Sequence, residues 1–260
     1  MPELPEVERA RQLLERAAAG KRLTSVRALH PSAVRALPSC DAESVAGATL
    51  ERVERRGKHQ LLKLDDGRTL HAHFRMNGDW VVGRAGEAVP AHARYLLDFT
   101  DGTRVALVDS RALASIKLYP ADRDPLPAMG PEATSVDFDA ESLRAALAGR
   151  RCAVKVALLD QRVVAGLGNI YAAEALWYAR VDPRAVASTV SKARCARIAD
   201  GARQAIAEAT ADPGRYQDGD AMGRLNVYGR EGEPCRRCGK KIRRIVQAGR
   251  STYFCAKCQT

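Results

Sequence analysis

The sequence predicts an α+β protein. One helix precedes an antiparallel β-sandwich or barrel in the N-terminal half. The C-terminal half is helical and closes on a cysteine-bearing β-hairpin. Three observations predict this order. Apolar residues recur at helical spacing near the start, and short β-like runs joined by turn residues fill positions 21 to 119. Helical periodicity then takes over after a stretch rich in Pro, Gly and acidic residues at 123–139.

The first helix is expected over residues 3–19. Val7, Ala10, Leu14 and Ala17 share one face, and Gly20 stops it. HQLLKLDDGRTLHAHF then reads as strand, Asp-Gly turn, strand, and ARYLLDFTDGTRVALVD repeats the plan. RDPLPAMGPEATSVDFD cannot hold a regular element and is assigned as a linker. Beyond it, ESLRAALAG, CAVKVALLDQ, IYAAEALWYA and VSKARCARIADGARQAIAEAT carry helical patterns. The chain therefore divides into a sandwich domain at 1–122, the linker at 123–139, a helical domain at 140–226 and a cysteine-rich segment at 227–260.

The 260 residues carry a formal net charge of +11, with a hydrophobic fraction of 46%. That is enough apolar material for a real core, and the cationic excess suits a polyanionic partner, nucleic acid first. No apolar run approaches the roughly 20 residues of a membrane span. The acidic start, with Glu3, Glu6 and Glu8, is unlike a signal peptide, so a cytoplasmic location is expected.

Four of the seven cysteines cluster at the end. Cys235-x2-Cys238, sixteen residues and Cys255-x2-Cys258 are spaced as two knuckles that complete one tetrahedral metal site. All four positions are filled by thiolates, so the expected ion is a structural Zn2+ with no open place for substrate. The intervening KKIRRIVQAGRSTYF reads as a cationic β-hairpin that would face phosphates. Gly166-Leu167-Gly168-Asn169 opens a helix, and exposed N–H groups there would attract a backbone phosphate.

Together PELPEVE, RRGKHQLL, MGPE, VAGLGNIYAAEALW, VYGREGEPCRRCG and GRSTYFCAKCQ resemble one family along the whole chain. These are the formamidopyrimidine-DNA glycosylases and endonuclease VIII enzymes of base excision repair. The resemblance implies a β-sandwich with a packed helix, then a helix–two-turn–helix domain and a zinc-finger hairpin. It implies a monomeric enzyme that removes an oxidised base from double-stranded DNA and then cuts the strand, with no organic cofactor.

Family residues carry over onto this sequence one by one. Pro2, freed by removal of Met1, matches the nucleophile. A terminal amine has a reference pKa of about 7.7–8.0 against about 10.4 for lysine, so it is easier to deprotonate. It forms a Schiff base with the sugar. Glu3 matches the proton donor; a buried carboxyl can hold its proton near neutral pH. Lys58 and Arg250 match residues that contact phosphates and assist elimination. Asn169, Lys155, His92, Arg150 and Tyr228 match DNA-contacting positions, and Glu6 a glutamate near the base pocket.

Two departures bear on substrate. Met76 and Arg111 match residues that fill the hole left by the flipped base, but Leu113 stands where the 8-oxoguanine enzymes carry phenylalanine. An aliphatic wedge presents less stacking surface than an aromatic one. The loop at 211–226 is also shorter than the one that caps a flipped purine, which leaves room for oxidised pyrimidines.

Overall fold

The computed structural model describes residues 2–211 and 225–260. The short loop noted at 211–226 lies almost wholly outside the described residues. Two compact units emerge. The first comprises the chain start and Glu6–Pro127, and the second Glu3–Pro5 and Ala128–Thr260.

The first unit begins with helix α1, Leu4–Ala18. Pro5 sits in its first turn, where a missing N–H costs nothing, and Gly20 leaves it at a φ of +77°. Val7, Ala10 and Leu14 are buried as expected, but Ala18 rather than Ala17 continues the stripe. Spacing of three, four and four residues keeps the face on one line.

Eight strands follow: β1 (Lys21–Ala28), β2 (Thr49–Arg56), β3 (His59–Leu64), β4 (Thr69–His73), β5 (Asp79–Arg84), β6 (Ala93–Phe99), β7 (Thr103–Val108) and β8 (Ser115–Tyr119). Their order is β5-β7-β6-β1-β2-β3-β4-β8, and every pair is antiparallel. Strand β1 meets β2 only at Lys21 and Arg22 and runs along β6 for the rest of its length, so the chain turns from one layer into the other there. Both predicted Asp-Gly hairpins form, as β3–β4 and β6–β7, with Gly67 and Gly102 at φ of +84° and +82°. Phe74, Trp80, Tyr95 and Phe99 fill the core. Two short helices between β1 and β2, α2 (Pro31–Ala36) and α3 (Ser39–Ser44), are too brief to show a period in the sequence.

The second unit holds α4 (Ala140–Leu147), α5 (Val154–Ala157), α6 (Asn169–Tyr178) and α7 (Lys192–Ala211), then the hairpin β9 (Arg243–Gln247) and β10 (Arg250–Phe254). Asp139 and Ser142 form a reciprocal capping box at the start of α4. Helix α6 is buried from Ile170 to Trp177 on every side. Ala248 and Gly249, both at positive φ, make the two-residue turn between β9 and β10.

The 123–139 stretch is a tether only in its first part. From Ala128 it belongs to the second unit, with Ala133 and Phe138 fully buried in that core and Ala133 N–H bonded to the Ala165 carbonyl. Turn-forming residues around those two apolar anchors hid the packing. Among the described residues, no helix is long and apolar enough to cross a membrane.

Candidate functional site

At the glycine-rich entry to α6, the Gly166, Ile170 and Tyr171 N–H groups are engaged within the protein. Glu3, 1% exposed, accepts the Ile170 and Tyr171 backbone N–H groups at 2.9 and 3.2 Å. Carboxylate charge at a helix N-terminus is favourable. Glu3 therefore caps the start of α6.

The two glycines make room for the N-terminal segment. A Cβ on Gly168 would lie 2.3 Å from Glu3 Cδ, and one on Gly166 would lie 2.3 Å from Leu4 Cδ1. Gly166 also sits at a φ of +97°, which disfavours any side chain. Gln161 braces the loop from inside. Its Oε1 accepts the Gly166 N–H at 2.9 Å, and its Nε2 donates to the Leu167 carbonyl at 2.9 Å.

Beside this cradle runs a chain of polar side chains. Lys155 on α5 is fully buried and donates to Asn169 Oδ1 and, at 3.2 Å, to the Ser251 carbonyl. Asn169 Nδ2 donates to the same carbonyl at 3.0 Å and to the Tyr228 hydroxyl at 3.4 Å. Burial, then the Arg250 charge, push Lys155 down to about 8, with the Glu3 charge working the other way. Arg250 itself is exposed at the start of β10. Lys155, Asn169, Tyr228 and Arg250 are thus brought together. Arg150 pairs with Asp160 at 3.1 Å and donates to the Ala146 carbonyl.

Sequence reasoning missed Glu174. It is buried in α6 and accepts the backbone N–H groups of Asn226, Val227 and Tyr228 at 2.8–2.9 Å, and Asn226 Nδ2 at 3.0 Å. These bonds fix the approach of the segment that carries Tyr228. Burial nonetheless pushes its carboxyl up, against the pull of those donors. Its signal in the sequence was a lone acid inside an apolar helix.

In the first unit, Lys58 occupies the second place of the two-residue turn between β2 and β3, after Gly57 at a φ of +55°. Met76, His92, Arg111 and Leu113 stand on three separate turns. Asp109 joins them. Its carboxylate accepts the N–H groups of Arg111, Leu113 and Ala114 at 2.6–2.9 Å, and its own N–H donates to the His92 carbonyl at 3.0 Å. Asn77 Nδ2 donates to Ser110 Oγ at 2.8 Å and ties in the Met76 turn. Arg111 and Leu113 are left exposed, Leu113 at 46%. Glu6 lies half-buried in the first turn of α1.

The four cysteine Sγ atoms lie within 4.8 Å of one another. Cys238 and Cys255 are 3.5 Å apart, and Cys235 and Cys258 4.0 Å. Zinc–sulfur bonds of about 2.3 Å in a tetrahedron require sulfurs about 3.8 Å apart, so the set fits one Zn2+. Gly239, at a φ of +72°, closes the first knuckle with its N–H on the Cys235 carbonyl.

Three family models match in chain order. The formamidopyrimidine-DNA glycosylase N-terminal domain matches residues 1–116, the H2TH domain of the same enzymes 129–217, and the zinc finger found in FPG and IleRS 232–260. Formamidopyrimidine-DNA glycosylases of Sphingopyxis alaskensis and Cereibacter sphaeroides are 41% and 40% identical over the full length of both chains. The chain belongs to the formamidopyrimidine-DNA glycosylase family. Among solved structures of formamidopyrimidine-DNA glycosylases, it is similar to MutM in complex with DNA containing carbocyclic 8-oxo-G, with a TM-score of 0.91, 32% identity and full coverage of both chains. It is equally similar to the Lactococcus lactis enzyme bound to FAPY-dG-containing DNA, with a TM-score of 0.91, 32% identity and 99% of each chain covered. The four-cysteine cluster is the structural zinc site of a formamidopyrimidine-DNA glycosylase zinc finger.

Proposed function

We propose that this protein is a bifunctional DNA glycosylase and AP lyase that removes oxidised bases, formamidopyrimidine and 8-oxoguanine first, from duplex DNA. The observation that carries the reading is the seating of Glu3 in the α6 cradle, one residue from a Pro2 whose nitrogen becomes a terminal amine once Met1 is gone. The two glycines are shaped around Glu3 and Leu4, so the same contacts that cap α6 fix the start of the chain.

The damaged nucleotide leaves the stack to be reached. Pro2 nitrogen attacks C1′; the N–C1′ bond forms as the bond to the base breaks. Glu3 supplies a proton as the deoxyribose ring opens, and a Schiff base results. The iminium acidifies the sugar, and β- and δ-elimination release the flanking phosphates. Lys58 and Arg250 bind those phosphates and assist elimination, while Lys155, Asn169 and Tyr228 hold the backbone. Met76, Arg111 and Leu113 fill the vacated space, His92 contacts the DNA, and Glu6 lies near the base pocket. These contacts position the backbone without reading sequence. We assign the work to three parts, the sandwich at 1–122, the helical domain at 140–226 and the zinc finger at 227–260, acting as a monomer in the bacterial cytoplasm.

Sodium borohydride reduction on an abasic-site duplex tests the reading. The expected result is a covalent adduct that peptide mapping places on Pro2. Methionine-free protein that yields no adduct overturns it. The exposed aliphatic Leu113 favours a second activity on oxidised pyrimidines. Cleavage of thymine glycol and dihydrouracil duplexes beside 8-oxoguanine, each opposite all four bases, measures that breadth.

A further inference from the structure

Helix α6 begins at the Glu3 cradle and ends at Trp177 and Tyr178, about 12 Å further along its axis. At that far end it meets the first zinc knuckle. Trp177, only 5% exposed, packs in one cluster with Cys235, Cys255 and Ile242. Arg237, inside the knuckle, lies over the indole with its guanidinium carbon 3.6 Å from the ring centroid. The same guanidinium donates to the Trp177 and Tyr178 carbonyls. One residue of the knuckle thus both stacks on the indole and closes the end of the helix.

The indole N–H is buried and has no hydrogen-bond partner in the structure. Its polar neighbour is sulfur: Trp177 and Cys235 pack in one cluster, and the Arg237 and Cys238 backbone N–H groups approach the same sulfur. A thiol is a weak acceptor. A thiolate bound to zinc carries charge, and hydrogen bonds to charged acceptors are stronger. Metal binding also requires that the cysteine be deprotonated. The N–H therefore gains its full partner only in the metal-loaded state. Phenylalanine would fill the same space without leaving a buried donor to satisfy.

We propose that Trp177 is a positioning residue of the zinc centre, its indole N–H donating to the Cys235 thiolate and slowing loss of the metal. Through this bond and the Arg237 stack, the metal fastens the zinc finger to the helix whose other end holds Glu3. The inference rests on the assignment of zinc to the four cysteines.

Zinc content and zinc release to excess chelator, compared between the wild-type protein and Trp177→Phe, test it. Both are expected to start with one zinc per chain. Trp177→Phe is expected to release it about tenfold faster, the lower end of the usual effect of removing an outer partner of a metal ligand. A zinc-loaded wild type matched in rate by Trp177→Phe overturns the inference alone. A wild type without zinc overturns the metal assignment and the inference with it. A second measurement needs no variant. With 113Cd in place of zinc, one indole proton should show coupling to the metal across the N–H···S bond. The only other tryptophan, Trp80, donates to Gln60 Oε1 and should show none. Absence of coupling at both indoles overturns the proposal even if Trp177→Phe fails to fold.

Discussion

The carboxylate of Glu3 accepts two backbone N–H groups from α6, Ile170 at 2.9 Å and Tyr171 at 3.2 Å, across a sequence separation of 167 and 168 residues. The bond pair decides where the first residues of the chain lie. It also makes the glycines of the α6 entry into fitted parts of the N-terminal segment.

Gly168→Ala isolates that fit. Gly168 has a φ of −128°, which alanine adopts freely, so the substitution acts through its new methyl group alone. That methyl would fall 2.3 Å from Glu3 Cδ and must displace it. A shift of about 1 Å at a reacting group can cost about a hundredfold. Single-turnover excision of 8-oxoguanine is expected to fall by that order while the circular dichroism spectrum is kept. Activity within threefold of wild type would contradict the fitted role.

Lys155 gives a pH signature. Its ammonium is held down to about 8 by burial and by the Arg250 charge, against an ordinary value of 10.5 when unfolded. Phosphate favours the charged form, so affinity for an abasic-analogue duplex should decline as pH rises through about 8. Fluorescence anisotropy between pH 6.5 and 9.5 measures this (assay range chosen on the order of the two pKa values), and Lys155→Met should flatten the curve. Stability moves the other way. Between about 8 and 10.5 the unfolded chain binds the extra proton, so stability gained from this group rises with pH.

Asp109 tests the loop that carries Arg111 and Leu113. It is 1% exposed and accepts the N–H groups of Arg111, Leu113 and Ala114. In Asp109→Asn, one acceptor becomes a donor that faces those N–H groups. The expected loss of stability is about 1–3 kcal/mol, read by urea unfolding. Base excision should drop by more than strand cleavage at a ready-made abasic site, because only excision needs the flipped nucleotide's place filled. Equal losses on both substrates would count against the role of the loop.

Three imidazoles sit together on neighbouring strands. His59 Nδ1 is 2.8 Å from His71 Nε2, and His59 and His73 rings meet edge-on at 4.7 Å. Burial lowers all three: His59 to about 4, helped by the Arg75 and Lys58 charges; His71 to about 4, helped by His59, Lys117 and Arg75; His73 to about 3, helped by His59 and Arg75. Below about 6.5 the unfolded chain binds protons that the folded chain refuses. Stability should therefore rise with pH from about 4 to 6.5 and then level off on account of these groups. Urea titrations across that range should show a shallower rise for His71→Asn, by about one proton taken up on unfolding. An unchanged slope would rule the cluster out as the cause.

Much of this architecture was legible because periodicity and turn chemistry act locally. The α1 stripe, the two Asp-Gly hairpins and the Ala248-Gly249 turn follow from neighbouring residues alone. The Cys-x2-Cys pairs announce their ion by spacing. The cradle was not legible, because Glu3 meets Gly168 only through the tertiary fold; taken alone, the glycines point to a backbone phosphate instead. Glu174, Asp109 and Trp177 were hidden for the same reason. Each serves backbone or sulfur atoms far away in sequence, and none belongs to a local pattern. The end of the tether at Pro127 was obscured by turn residues that surround the buried Ala133 and Phe138.

The 167-residue span between Glu3 and its partner has a consequence during synthesis. At about 5–20 residues per second, a ribosome needs roughly 8 to 33 seconds to deliver α6 after the chain start has appeared. Throughout that interval the first residues have no cradle to enter, and an aminopeptidase working on the nascent chain meets an accessible Met1. Once α6 emerges and Glu3 docks, Pro2 and Glu3 are buried. The order of translation thus leaves Met1 open to removal before the cradle exists.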